Sequence, residues 1–277
     1  MKINFPPKIL IFIFFLFIPN NSNAIKINHY KIGEVISDSL KITSKITIKL
    51  PDGNWEVIDK DGSTEYGLTF NCLSLIQANK IEIQRGFELC FSMLSGNYVG
   101  YIDHALIEAI FKDPYDGCYQ RPEYYLLELY RKGSTHNCFK VRHYDTMREL
   151  YKPDNPEDSQ YSAAMKQWMR NNSEINVPSV MLSSEHLYFS RLVNGYWIGL
   201  NYLINPKLLN APENKYLSEE TSEYHKYNID KFPENKKIMN QWTSISAQRH
   251  IEFEKIFKSK SRHRLKLDRY ILKKNEN

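Results

Sequence analysis

Most of the motifs that would disclose a function are missing from this chain. It has no C-x-x-C pair, no H-E-x-x-H or H-x-H, no G-x-S-x-G and no glycine-rich phosphate loop. The first absence excludes a thioredoxin-type redox pair and a zinc ribbon. The others exclude the common zinc-hydrolase signature, the serine elbow of α/β-hydrolases and nucleotide-binding loops. A strong charge of one sign is also missing. The formal net charge is +5 over 277 residues, too mild to imply a nucleic acid partner. No repeat of fixed period occurs, and no long apolar run occurs beyond the N-terminus.

That one run is informative. Lys2 and Lys8 precede ten apolar residues, Ile9 to Ile18, then Pro19 and a Ser22-Asn23-Ala24 end. A basic start, a short apolar core and a small-x-small end form a secretory signal, with cleavage expected after Ala24. A membrane-spanning helix needs roughly 20 apolar residues, about twice what is present. No cysteine follows the site, so a lipid anchor is not expected. Losing the two lysines takes the formal charge from +5 to +3. The expected address is secreted or periplasmic, with no transmembrane span in the mature protein.

The cysteines are Cys72, Cys90, Cys118 and Cys138. An even count in an exported chain favours two disulfides over free thiols. Four cysteines allow three pairings. If the strands at 66–77 and 86–95 are neighbours, Cys72 faces Cys90, and Cys118 is left to close with Cys138.

Alternation predicts strands at 45–50, from Trp55 onward, at 66–77 and at 86–95, as an antiparallel meander. Turn chemistry lies at Pro51-Asp52-Gly53-Asn54 and at Asp61-Gly62. A short helix opened by Asp103 is predicted over 101–112, with loop residues at 113–117. Two strands, 124–130 and 138–144, flank a polar loop. Residues 152–160 are rich in Pro and Asp and are the only candidate domain boundary. A helix over 159–171 follows. Asn194-Gly195 marks a hairpin between 180–193 and 196–204. Pro233 opens a helix to about Lys258, with Ile238, Trp242, Ile245, Arg249 and Glu252 along it. The expected fold is α+β, mainly antiparallel sheet with two principal helices. It forms one domain over 25–258, followed by a basic tail over 259–277.

Candidate sites are weak in one dimension. Histidines stand at 29, 104, 136, 143, 186, 225, 250 and 263. Asp103-His104 and Glu185-His186 are adjacent pairs, but neighbours on a strand point to opposite faces. Cys138 with His136 and His143 makes a thiol nucleophile only if the cysteine is reduced. Ser63, Ser183 and Ser184 lie in no elbow. Asp59-x-Asp61-Gly62-Ser63-x-Glu65 lacks the spacing of a calcium loop and reads as a hairpin turn. Tyr115, Tyr119, Tyr124 and Tyr125 cluster about Cys118 and suit either stacking on a ligand or packing. From Lys255 to the end, nine Lys or Arg stand against two acids. With Leu265, Leu267, Ile271 and Leu272 interspersed, that segment suits an anionic surface or a solvated tail.

No cofactor or metal is expected, and the catalytic residues are unknown. The expectation is a non-catalytic periplasmic or cell-envelope binding or structural domain, contacting an unknown envelope component or polymer. The alternative is an envelope hydrolase with no recognisable motif. A hydrolase should gather two or more of His104, His136, His143, His186, Asp103 and Glu185 in one cleft. A binding module should scatter them and expose an aromatic patch.

Overall fold

Alternating apolar residues make strands, and matched registers make them a sheet. The structure, a computed structural model, describes residues 27–65, 68–93, 118, 121, 123–132, 135–153, 160–190, 196–212, 220–256 and 265–272. The segment expected to be a signal peptide, the helix predicted at 101–112, the loop predicted at 113–117 and the turn predicted at Asn194-Gly195 lie outside these residues. So do Asp103, His104, Tyr115, Tyr119 and His263.

The strands are β1 (Val35–Ile36), β2 (Ser39–Lys41), β3 (Thr47–Lys49), β4 (Trp55–Glu65), β5 (Leu68–Ala78) and β6 (Ile83–Met93). They continue with β7 (Tyr124–Lys132), β8 (Thr135–Asp145), β9 (Val180–Ser190) and β10 (Tyr196–Ile204). Helices α1 (Thr146–Tyr151), α2 (Gln160–Asn171) and α3 (Pro233–Ile256) complete the regular structure. The fold is α+β, as the alternation predicts. An eight-stranded antiparallel sheet runs in the order β1-β4-β5-β6-β10-β9-β8-β7, and β2-β3 form a second, two-stranded sheet. The predicted strand at 45–50 is thus β3, paired with β2 and outside the meander.

The meander β4-β5-β6 and the hairpins β7-β8 and β9-β10 are each local in sequence. They are joined by two pairings, β6 with β10 and β8 with β9. Strands from both sides of residues 152–160 therefore share one sheet.

The Asp61-Gly62 turn expectation is corrected. Both residues sit inside β4, where Asp61 pairs with Cys72 and Gly62 with Asn71. Pairing along the full length of β5 overrides the local turn preference. The acidic 59–65 segment is therefore strand, neither cation loop nor hairpin turn.

The inner face of the large sheet carries Trp55, Leu73, Phe87, Phe91, Leu182 and Ile198, all buried in the main core with α3. Pro233 opens α3 where a missing N–H costs nothing. Met239, Trp242 and Phe253 of α3 face the sheet, each worth about 1.5–3 kcal/mol of burial. The outer face is covered in two places. Ile76, Met181 and Leu203 pack under Met165 and Trp168 of α2. Cys118, Cys138 and Phe189 form a second patch with Leu187 and Trp197.

Candidate functional site

Between the two outer-face patches the sheet floor is polar. The register places Asp59 beside Ser74, Ser74 beside Glu88, Glu88 beside Asn201, Asn201 beside Glu185 and Glu185 beside Lys140. This is one row of polar residues across six strands, β4 to β8. Asp59, Glu88, Asn201 and Glu185 are half-buried, while Ser74 and Lys140 are buried. A side-chain period of two explains the row, because every member shares the pleat direction of the outer face.

The row is most structured at β8 and β9. Lys140 Nζ pairs with Glu185 Oε2, and Arg142 Nε lies 3.1 Å from Glu185 Oε1. Tyr124 lies under two cations, Lys140 Nζ 5.3 Å and Arg121 5.9 Å from its ring centroid. Arg142 stands 6.0 Å from the Tyr144 ring centroid. Ser183 Oγ donates to Asn201 Oδ1 at 2.8 Å. Burial pushes the Glu185 carboxyl up, but Lys140 and Arg142 outweigh it by charge and hydrogen bond and bring it down to about 2.

Two disulfides stand beside this row. Cys72 bonds Cys90, directly opposite it on the neighbouring strand, and Cys118 bonds Cys138 on β8. Both are the pairings the spacing of the strands predicts. Cys138 is therefore no thiol nucleophile.

Among the described residues, the candidates His136, His143, His186 and Glu185 are not gathered in one cleft. His136 lies on the outer face with Phe189, ring centroids 6.2 Å apart. His143 lies on the inner face with His225, 5.8 Å apart. Glu185 and His186 point to opposite faces, as adjacent strand residues must. His186 is four residues along β9 from Leu182, the partner of His143, so roughly 13 Å separates the two histidines. An aromatic patch is not gathered either: among the described residues the exposed aromatics Tyr151 and Tyr227 stand apart, on α1 and in the segment before α3. A cleft of about 510 Å³ at the α1–α2 corner is lined by Lys152, Lys166, Arg170, Leu150 and Met169 among others, with no acid or histidine among the described lining residues.

A second polar group was invisible in the sequence because its members are far apart. Ser184 Oγ lies 3.2 Å from His186 Nε2, and His186 Nδ1 lies 3.0 Å from His250 Nδ1. His250 Nε2 lies 2.8 Å from Asn137 Oδ1, and Asn137 Nδ2 donates to Glu254 Oε1. Glu254 Oε1 also accepts from the Leu265 backbone N–H at 3.0 Å. All five side chains are buried on the inner face. The signal that could have found them is the helix period of α3. Trp242, Ser246, His250 and Glu254, spaced by four, are all buried, whereas Ile245 and Arg249 are half-buried and Glu252 is exposed. The predicted line Ile238, Trp242, Ile245, Arg249 and Glu252 turns off the buried stripe after Trp242, so it passes by Ser246, His250 and Glu254.

The basic C-terminal segment is docked over residues 265–272. Leu265 and Leu267 belong to the main core, and Arg269 and Tyr270 reach Glu128 of β7. These two leucines are thus unavailable to a lipid surface. Among the described residues no helix is long and apolar enough to cross a membrane, and no group of three or more metal-ligating side chains occurs.

Family models, curated proteins and solved structures give no match to this chain.

Proposed function

We propose that this is an exported, non-catalytic binding domain of the periplasm or cell envelope, and that the polar outer-face row is where its ligand lies. The observation that carries this is the state of Glu185. A carboxylate held at about 2 by two cations is a firm hydrogen-bond acceptor and a weak base at neutral pH. General acid–base work favours a group poised near the working pH. The row alternates hydroxyl, amide, carboxylate and ammonium groups, which suits a hydroxyl-rich polymer. Its three carboxylates disfavour a phosphate backbone. Two disulfides and the signal-like N-terminus support an oxidising address.

A second reading rests on Glu88 and Glu185. They flank Asn201 two strands apart, about 9–10 Å by strand spacing, within reach of the wider carboxylate pairs of inverting glycosidases.

One experiment covers both. The protein recovered from the periplasm should begin at Ile25 by mass spectrometry. Calorimetry against soluble cell-wall glycan oligomers should then show binding without turnover. Asn201→Ala should weaken it about tenfold, the effect of roughly 1.4 kcal/mol. Unchanged binding in that variant removes the row as the site. Glycan cleavage that Glu185→Gln abolishes would replace this reading by the hydrolase.

A further inference from the structure

The buried line from Ser184 to Glu254 has a fixed direction. The Asn137 amide nitrogen is committed to Glu254, so its oxygen faces His250, and His250 Nε2 carries a hydrogen. Neutral His250 then presents a bare Nδ1. The hydrogen between the two Nδ1 atoms belongs to His186, whose bare Nε2 accepts from the Ser184 hydroxyl. Each group donates to the next, and the line ends on a carboxylate that also holds the Leu265 N–H. It therefore ties β8 and β9 to α3, and α3 to the docked C-terminal segment.

This arrangement accepts one proton without moving. The proton enters on His186 Nε2 as the Ser184 hydroxyl turns to accept from it. The His186 Nδ1 hydrogen then crosses to His250 Nδ1. His186 is neutral again, and the charge rests on His250, whose Nε2 is 3.6 Å from Glu254 Oε1. A second proton has no such route. It places a hydrogen on both Nδ1 atoms, 3.0 Å apart, and a charge on two stacked rings whose centroids are 5.2 Å apart.

The surroundings do not relieve that charge. Phe139 of β8 and Phe253 of α3 close around the rings. Tyr202 of β10 stands 5.4 Å from the His186 ring and stays neutral, its phenol raised by burial to about 12. Arg249 of α3, above Tyr202, adds positive charge, with Arg85 of β6 beyond it. Glu252 lies exposed on the same helix, Glu185 and Lys140 point to the other face, and His143 and His225 form a separate inner-face pair. Glu254 is the one carboxylate hydrogen-bonded into the line.

We infer that this line is an acid-operated clasp: with no proton or one it holds α3 and residues 265–272 on the sheet, and with two it releases them. Burial keeps both rings below the ordinary histidine value, His186 well below it, so the clasp is closed and uncharged at neutral pH. Released rings titrate near 6.5. Release therefore takes up protons and is favoured as pH falls. Each proton taken up raises the released fraction about tenfold per pH unit, so two give about 100-fold.

Hydrogen exchange on the full disulfide-bonded chain, followed from about pH 7.5 to about pH 4.5 across the histidine range, tests this. After correction for intrinsic exchange, amides of 243–256 should lose protection before those of β5 and β6, with the steep two-proton dependence. His250→Gln should reduce the dependence to about tenfold per unit. Glu254→Gln removes the partner of the first proton and should move release upward by about one pH unit. Loss of protection in α3 and β5 together at every pH would overturn the clasp, as would no pH dependence. Should His250→Gln fail to fold, nitrogen NMR of the unaltered chain decides. His186 must be the Nδ1–H form and His250 the Nε2–H form at neutral pH, and the same form in both rings overturns the inference.

Discussion

One hydrogen atom decides whether α2 can sit on the outer face. Gly86 pairs with Ile76 on one side and Leu203 on the other. A Cβ built there would stand 2.0 Å from the Tyr161 hydroxyl and 3.2 Å from Leu203 Cδ1. The Tyr161 hydroxyl is buried with no hydrogen-bond partner, and burial pushes its phenol well above the ordinary value. Two expectations follow from the same contact. Gly86→Ala should cost about 1–3 kcal/mol through overpacking. Tyr161→Phe removes an unsatisfied oxygen and should be neutral or stabilise by about 1 kcal/mol. In the double variant most of the Gly86→Ala loss should return, because the clashing atom is gone. Urea unfolding of the four proteins measures the coupling, and additive losses would show that the hydroxyl is not what Gly86 makes room for. None of this is legible in the sequence, where Gly86 is a strand residue like its neighbours and Tyr161 one of 19 tyrosines.

At the scale of elements, what alternation could show, it did show. The strands of the meander and of both hairpins, and the α2 and α3 helices, follow from local periodicity, whereas the Asp61-Gly62 turn and the place of the 45–50 strand in the meander do not hold. The pairings β6–β10 and β8–β9 do not, because nothing local records which hairpin docks on which. The polar row exists only through those two pairings, since they bring Glu88 beside Asn201 and Glu185 beside Lys140. The β8–β9 pair can be tested by pH. Glu185 has a folded value of about 2 against an ordinary 4.5. A depressed value means stability present above about pH 4.5 and lost as pH falls toward 2. Lys140→Met should cost about 2 kcal/mol at pH 7, since a buried charged hydrogen bond is broken while Arg142 still holds the carboxylate. The gap from the parent protein should narrow between pH 4.5 and 2, as Glu185 protonates in both. A gap constant across that window would mean Lys140 acts by packing alone.

For the whole molecule the disulfides set the limit. Cys72–Cys90 spans 18 residues and Cys118–Cys138 spans 20. Restricting the unfolded chain over loops of that size is worth about 3 kcal/mol each. The two bridges fix different halves of the sheet: one locks β5 to β6, the other ties Cys118 to β8. Their contributions should therefore be near additive, because the two bridges close separate loops on different strands. Together they reach about 6 kcal/mol, comparable with the entire net stability of an ordinary domain, about 5–15 kcal/mol. Guanidinium unfolding of the oxidised chain, the two single Cys→Ser pairs and the fully reduced chain should show two similar steps down. The reduced form should be only marginally folded at 37 °C. A reduced chain as stable as the oxidised one would mean the sheet and α3 suffice alone, and the cysteines would then say nothing about where this protein works.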